Sequence, residues 1–287
     1  MTIKKYIKQL FIVLSNRNHN IVKANIVQLS PNELLKGRRA IITGGSSGIG
    51  LAIAKSFVKA GASVLIAGRN PEKISKALSE IRNHETNSMC EGVELDTTNV
   101  SSFEEGLRQA AEKLGGSYDI LVNCAGINGG HISYVTEDEY DRIMDTNLKG
   151  VFFLSKLVGN YFKENHIEGN ILNISSAASM RPALSAYQLS KWGLRGFTQG
   201  LARALAPYHI TVNGIAPGPT LTPMLNKSID DELTHHKNLI GRYAIPEEIA
   251  NMAVILCSDM SRTIVGHTVF MSGGSGEINN DDIDYKF

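Results

Sequence analysis

Apolar runs and amphipathic stretches alternate along the chain from residue 38 onward. Short apolar runs at 40–42, 63–67, 93–95, 119–123, 171–174, 210–213 and 268–271 read as buried strands. Between them, apolar residues recur at helical spacing over 48–60, 71–84, 101–114, around 137–165 and over 246–257. A further helix is marked by Leu194, Phe197, Leu201 and Leu205, which serve either the core or a contact between subunits. Pro71 suits a first helical turn. Strands alternating with helices predict a parallel sheet covered on both faces. Right-handed crossovers then make it a doubly wound α/β sheet of about seven strands, a three-layer, Rossmann-like αβα arrangement.

The pattern divides the chain into a basic extension at 1–34, one domain at 35–275 and an acidic tail at 276–287. Residues 1–30 carry Lys4, Lys5, Lys8, Arg17 and Lys23 and no acid; the tail carries Glu277, Asp281, Asp282 and Asp284. The extension is read as packing on its own domain or on a neighbouring subunit, with membrane contact the less favoured alternative. Its apolar run Leu10–Leu14 is too short for a secretory signal core, and no stretch matches a membrane span. A net charge of +1 argues against general nucleic-acid binding. Cys90, Cys124 and Cys257 are dispersed, without a metal or disulfide spacing, which predicts buried reduced thiols, no metal and a cytoplasmic protein.

Chemistry concentrates in four places. A glycine-rich turn, Thr43-Gly44-Gly45-Ser46-Ser47-Gly48-Ile49-Gly50, joins the first strand to the first helix. Glycine there lets backbone N–H groups approach a pyrophosphate, and the helix N-terminus adds positive potential. Tyr187 and Lys191 lie four apart on a helix and so share a face. An adjacent ammonium is expected to lower the phenol pKa and make it a proton donor and acceptor. Ser175 and Ser176 end the fifth strand and supply hydroxyls. The fourth place is the end of the second strand, Ala67-Gly68-Arg69-Asn70, which has no acid to hold both ribose hydroxyls of NAD. Arg69 there suits a 2′-phosphate, as do Ser46 and Ser47. His235 and His236 lack further spaced ligands and are read as a solvated face.

These residues, in this order, resemble the short-chain dehydrogenase/reductase family from about Leu35 to Gly274. The turn matches the family's T-G-x-x-x-G-x-G. Asn123-Cys124-Ala125-Gly126 matches its N-A-G marker with a cysteine inserted. Asn147, Ser176, Tyr187 and Lys191 match its catalytic set, and Pro217-Gly218 its late turn. The loop between Ser176 and Tyr187 is short for the family, which leaves Ser175 as the alternative serine.

The resemblance implies hydride exchange between NADP(H), with NAD(H) as the alternative, and a carbonyl or secondary-alcohol substrate. Ser176 would hold the substrate oxygen, Tyr187 would give it a proton, and Lys191 would tune Tyr187 and hold the ribose. Asn147 would support a proton relay. The cofactor set is Gly44, Ser46, Ser47, Gly48, Ile49, Gly50, Arg69, Asp96, Thr97, Asn123, Ala125, Gly126, Tyr187, Lys191, Pro217, Gly218, Thr220 and Thr222. Asp96 would meet the adenine; Asn123, Ala125 and Gly126 would line the ribose side and stabilise the central sheet; Thr220 and Thr222 would meet the nicotinamide side. The substrate would be a 3-oxoacyl thioester, or else a sugar, polyol or steroid. Residues 222–245 would close over it, with Met224, Leu225, Leu233 and Leu239 apolar and Lys227, Lys237 and Arg242 basic. Met180, Arg181 and Pro182 fall in the serine–tyrosine loop, within reach of a substrate. Related proteins form tetramers or dimers. A non-catalytic dinucleotide sensor of the same fold is the rival reading, though such proteins lose the tyrosine or lysine.

Overall fold

The computed structural model describes residues 33–84, 89–225, 233–236 and 238–275. The basic extension and the acidic tail, with the expectations attached to them, lie outside the described residues. Seven parallel strands form one sheet in the order β3-β2-β1-β4-β5-β6-β7. They are β1 (Arg39–Thr43), β2 (Ser63–Gly68), β3 (Cys90–Glu94), β4 (Ile120–Asn123), β5 (Asn170–Ile174), β6 (Thr211–Pro217) and β7 (Thr268–Met271). The helices are α1 (Gly48–Lys59), α2 (Pro71–His84), α3 (Phe103–Lys113), α4 (Glu137–Met144), α5 (Gly150–Glu164), α6 (Ala186–Leu205) and α7 (Pro246–Cys257).

Alternation along each strand sends neighbouring side chains to opposite faces. Ile42, Val64 and Ile66 pack with α1, α2 and α7, whereas Ile41 and Leu65 pack with α3, α5 and α6. The doubly wound three-layer arrangement expected from the pattern is therefore present.

Two elements differ from the sequence expectation. β3 begins at Cys90, before the apolar run that marked it. Gly92 breaks the hydrophobic pattern because α2 presses on it: a Cβ there would lie 2.4 Å from Ile74 Cγ2. The region around 137–165 is one near-continuous rod in which α4 and α5 are joined by a π-helical turn, Asp145–Lys149. Gly150, just after that turn, lets the rod pass close to Thr97, since a Cβ there would fall 2.0 Å from the Thr97 carbonyl oxygen.

The N-terminal ends of the central strands are tied together by side chains. Arg38 Nε donates to Asp119 Oδ2 at 2.6 Å, and its guanidinium also donates to Asn170 Oδ1. Asp119 Oδ1 accepts the Arg39 N–H at 2.8 Å, and Asn170 Nδ2 donates to Thr211 Oγ1 at 2.6 Å. One charged cluster thus links the starts of β1, β4, β5 and β6.

Candidate active site

The opposite, C-terminal ends of the strands carry the loops. β1 and β4 are neighbours whose connections leave in opposite directions, which opens a crevice at that edge. A cavity of about 560 Å³ lies there. Its walls combine Gly44 and Ser47–Gly50 from the first turn, Cys124–Gly126 after β4, Ser175 and Ser176 after β5, Tyr187 and Lys191 on α6, and the 217–225 segment after β6.

The glycine turn is shaped by close backbone approach. Gly44 has φ 68°, and a Cβ on it would lie 2.9 Å from the Ala125 main chain. A Cβ on Gly50 would lie 2.3 Å from the Gly44 carbonyl oxygen. Thr43 Oγ1 accepts the N–H groups of Cys124 and Ala125 at 3.1 and 3.2 Å, which fixes the end of β4 beside the turn. Ser47 caps α1 without a side-chain hydrogen bond, so the first-turn N–H groups of the helix remain available at the cavity wall. A glycine cradle opening onto a helix N-terminus suits a dinucleotide's pyrophosphate.

α6 begins at Ser185, whose hydroxyl accepts the Gln188 N–H at 3.2 Å. That cap places Tyr187 in the first turn and Lys191 one turn on. Lys191 is buried, and Nζ donates to the Ile174 carbonyl at 2.8 Å while lying 5.7 Å from the Tyr187 ring centroid. Burial pulls the Lys191 ammonium down to about 8. Burial also pushes the Tyr187 phenol above its ordinary value, and a hydrogen bond with Ser176 draws it part of the way back. This corrects the expectation that Lys191 lowers the Tyr187 pKa. The ammonium is turned to the Ile174 carbonyl, and desolvation of the phenol outweighs every other influence on it.

The two serines have different surroundings. Ser176 bonds Tyr187, whereas the Ser175 hydroxyl donates to the Lys191 main-chain carbonyl at 3.2 Å. Asn147 sits in the π-helical turn, a distortion often found at functional sites. Its Oδ1 accepts the Ile127 N–H, and Nδ2 donates to the Ile127 carbonyl, both at 2.9 Å. Nδ2 also reaches Ser190 Oγ at 3.1 Å, and that hydroxyl donates to the Tyr187 carbonyl at 2.7 Å. Asn147 therefore braces the chain after Gly126 against the start of α6.

Ser46, Arg69, Asp96, Thr97, Asn123 and Asn147 do not line this cavity. Arg69 is exposed just past β2, and Ser46 Oγ lies 3.7 Å from where a Gly68 Cβ would be. The Asp96 carboxylate accepts from the Thr98 N–H and hydroxyl, both at 2.9 Å. Thr97 is buried beneath Gly150. Asn123, expected on the ribose side, is in the core: Nδ2 donates to Ser155 Oγ and Asn173 Oδ1, both at 2.9 Å. Pro217, Gly218, Thr220 and Thr222 do line the cavity, and Thr222 Cγ2 comes within 3.4 Å of a Cβ position on Gly48.

Several lining residues were not singled out as binding residues from sequence. Cys124 is one, its thiol pushed up to about 12 by burial. Asn128, Gln188 and Tyr243 are others. His235 is a correction, because it lines the cavity instead of joining a solvated face, with its ring edge-on to Tyr243 at 4.4 Å. Its neighbour His236 is exposed. Met224 and Leu225 line the cavity as expected, but Arg242 does not, being paired with Glu248 at 2.7 Å. Lys227 and Lys237 lie outside the described residues. No cluster suited to a metal ion occurs among the described residues.

Comparison with known proteins agrees with this geometry. The family model described as short chain dehydrogenase matches residues 38–233. The chain is 35% identical to the 3-oxoacyl-(acyl-carrier-protein) reductase FabG of Rickettsia felis, over 84% of this chain and 97% of that protein. It is 33% identical to an L-2,3-butanediol dehydrogenase of Corynebacterium glutamicum, over 82% and 97%. A crystal structure of a 3-ketoacyl-(acyl-carrier-protein) reductase from Brucella melitensis, complexed with NADH, is similar with a TM-score of 0.77 and 32% identity, over 84% and 99%. With the sheet order, the glycine turn and these matches in agreement, the chain belongs to the short-chain dehydrogenase/reductase family of oxidoreductases.

Proposed function

We propose that the protein interconverts a ketone and a secondary alcohol with NADP(H), Tyr187 acting as the general acid and base. The reading is carried by the meeting of Ser176, Tyr187 and Lys191 on one wall of a cavity whose other wall is the glycine turn. When bound, the nicotinamide cofactor supplies or accepts the hydride. Gly44, Ser47, Gly48, Ile49 and Gly50 would hold its pyrophosphate, and Ala125, Gly126, Pro217, Gly218, Thr220 and Thr222 would flank its nicotinamide half. Ser176 exchanges its bond to Tyr187 for one to the substrate oxygen and so fixes that oxygen beside the phenol. Tyr187 gives up its proton during reduction and takes one back during oxidation. Lys191, anchored on the Ile174 carbonyl, offers its remaining N–H groups to the ribose. Asn147 acts as a positioning residue through Ile127 and Ser190.

The preference for NADP(H) over NAD(H) rests on Arg69. It follows β2 where no acid stands, is exposed, and makes no ion pair among the described residues. Arg69→Ala should lower kcat/KM for NADPH by about 10- to 100-fold and leave NADH nearly unchanged, because charge-assisted bonds to phosphate are strong. Steady-state kinetics with both cofactors checks this. Equal losses with the two would remove the assignment.

Phe152, Leu189 and Trp192 are exposed on the surface of α5 and α6, and Phe152 packs on Phe197 at 5.0 Å. An apolar patch of this kind suits self-association, and a homo-oligomer, dimer or tetramer, is proposed through these helices. Light scattering should give a multiple of 31.2 kDa, and Phe152→Glu should shift it toward the monomer. A monomer in the unaltered protein would rule the interface out. Cys90 and Cys257 are buried free thiols, consistent with the proposed cytoplasmic location. No helix among the described residues is long and apolar enough to cross a membrane.

A further inference from the structure

The cavity wall contains two side chains that the proton and hydride chemistry leaves unused. Arg181 lies in the loop between Ser176 and Tyr187 and lines the cavity. Its guanidinium donates to Ser275 Oγ, and its own carbonyl is held by Trp192 Nε1 at 2.8 Å. Among the described residues it makes no ion pair, and no Asp or Glu of those residues lines the cavity. A guanidinium held in place by a neutral hydroxyl, facing a concave site, is suited to receive an anion.

His235 is the second. Its Nδ1 is buried and has no hydrogen-bond partner among the described residues. The two residues are joined through the turn after β7. Ser275 accepts from Arg181, a Cβ on Gly273 would lie 2.3 Å from Asn238 Oδ1, and the Asn238 N–H donates to the His235 carbonyl at 3.0 Å. Beside them Met224 and Leu225 present apolar surface.

We propose that Arg181, flanked by His235, binds the carboxylate of an oxo acid or hydroxy acid whose carbonyl or carbinol carbon is presented to Ser176 and Tyr187. The proposal rests on the ketone–alcohol reading given above. A carboxylate suits the site better than a phosphate. Lys191 is committed to the Ile174 carbonyl, which leaves Arg181 as the one further cation among the described lining residues, a match for a monoanion.

The test compares 3-oxobutanoate and 4-oxopentanoate with their methyl esters and with the N-acetylcysteamine thioester of 3-oxobutanoate, for the unaltered protein and Arg181→Met. The acids should be preferred over the esters by roughly 10- to 100-fold in kcat/KM. Arg181→Met should erase that preference through the KM of the acids. Esters or the thioester reduced as well as the acids, or a variant that lowers acid and ester alike, would overturn the proposal. A separate arm titrates 3-oxobutanoate into protein loaded with oxidised cofactor, where no turnover occurs. If no ketone is reduced with NADPH or NADH, the ketone–alcohol reading fails on its own. The titration then still decides: carboxylate binding lost in Arg181→Met upholds the anion site, and no binding in the unaltered protein refutes it.

Discussion

Replacing Tyr187 by phenylalanine should lower turnover roughly 100- to 10,000-fold, the usual worth of a positioned proton donor. Phenylalanine keeps the ring in its half-buried place beside Lys191 and removes only the hydroxyl. Fold and cofactor affinity should therefore change little, which fluorescence titration of NADPH measures directly. The pH dependence supplies a second reading of the same group. Burial raises the Tyr187 phenol above its ordinary value of 10.0, so it carries its proton throughout the neutral range. Reduction, which needs the protonated phenol, should hold its rate until the solution is strongly alkaline. Oxidation, which needs the phenolate, should speed up as pH rises. A phenylalanine variant with near-normal turnover would end the assignment of Tyr187 as acid and base.

Lys191→Met should cost about 10- to 100-fold in turnover, because the charge-assisted hydrogen bond from the ammonium to the cofactor ribose, which would seat the nicotinamide beside Tyr187, is lost. Methionine preserves the apolar stem and deletes the ammonium. Folding stability provides an independent check. In the folded protein Lys191 titrates at about 8 because it is buried; its ordinary value is 10.5. Between those values the unfolded chain holds more protons than the folded one, so stability rises with pH across that window. Below it the buried cation is a constant cost. Unfolding free energies of the protein without cofactor should therefore shift in favour of wild type over Lys191→Met by on the order of 3 kcal/mol on going from neutral pH to above the ordinary lysine value. Cys90 and Cys257 add a background to both proteins that cancels in the difference, and Cys124, which interacts with Lys191, is replaced by alanine in both for this comparison. A difference that stays constant with pH would mean that Lys191 is not the buried cation described.

The residues of the site differed in how plainly the sequence announced them. Tyr187 and Lys191 were legible because helical periodicity alone puts residues four apart on one face, and the Ser185 cap sets the start of that helix. The glycine turn was legible because its spacing reflects backbone contacts, visible in the tight approach of Gly44 to Ala125. The direction of the Tyr187 shift was not. It depends on how deeply the phenol is buried and on where the ammonium points, and neither follows from spacing. His235 was misread because the chain folds back after it, bringing Tyr243 edge-on to its ring, and that turn leaves no helical or strand period to read. Asn123 was expected to line the ribose side and to stabilise the central sheet, and its amide, which bridges β4 to Asn173 and Ser155, takes the second of these places. Choosing between Ser175 and Ser176 needed three dimensions too, since adjacent residues at a strand end point opposite ways.

The charged cluster of Arg38, Asp119 and Asn170 stands at the rim of the sheet away from the cavity. Cohesion of the central strands is thereby anchored on one edge, and the chemistry is hosted on the other. Such a division of labour leaves the loops after β5, β6 and β7 free to drift in sequence without loosening the scaffold. It offers a physical account of how an acyl-carrier-protein reductase and a butanediol dehydrogenase can each share about a third of their residues with this chain while being named for different substrates.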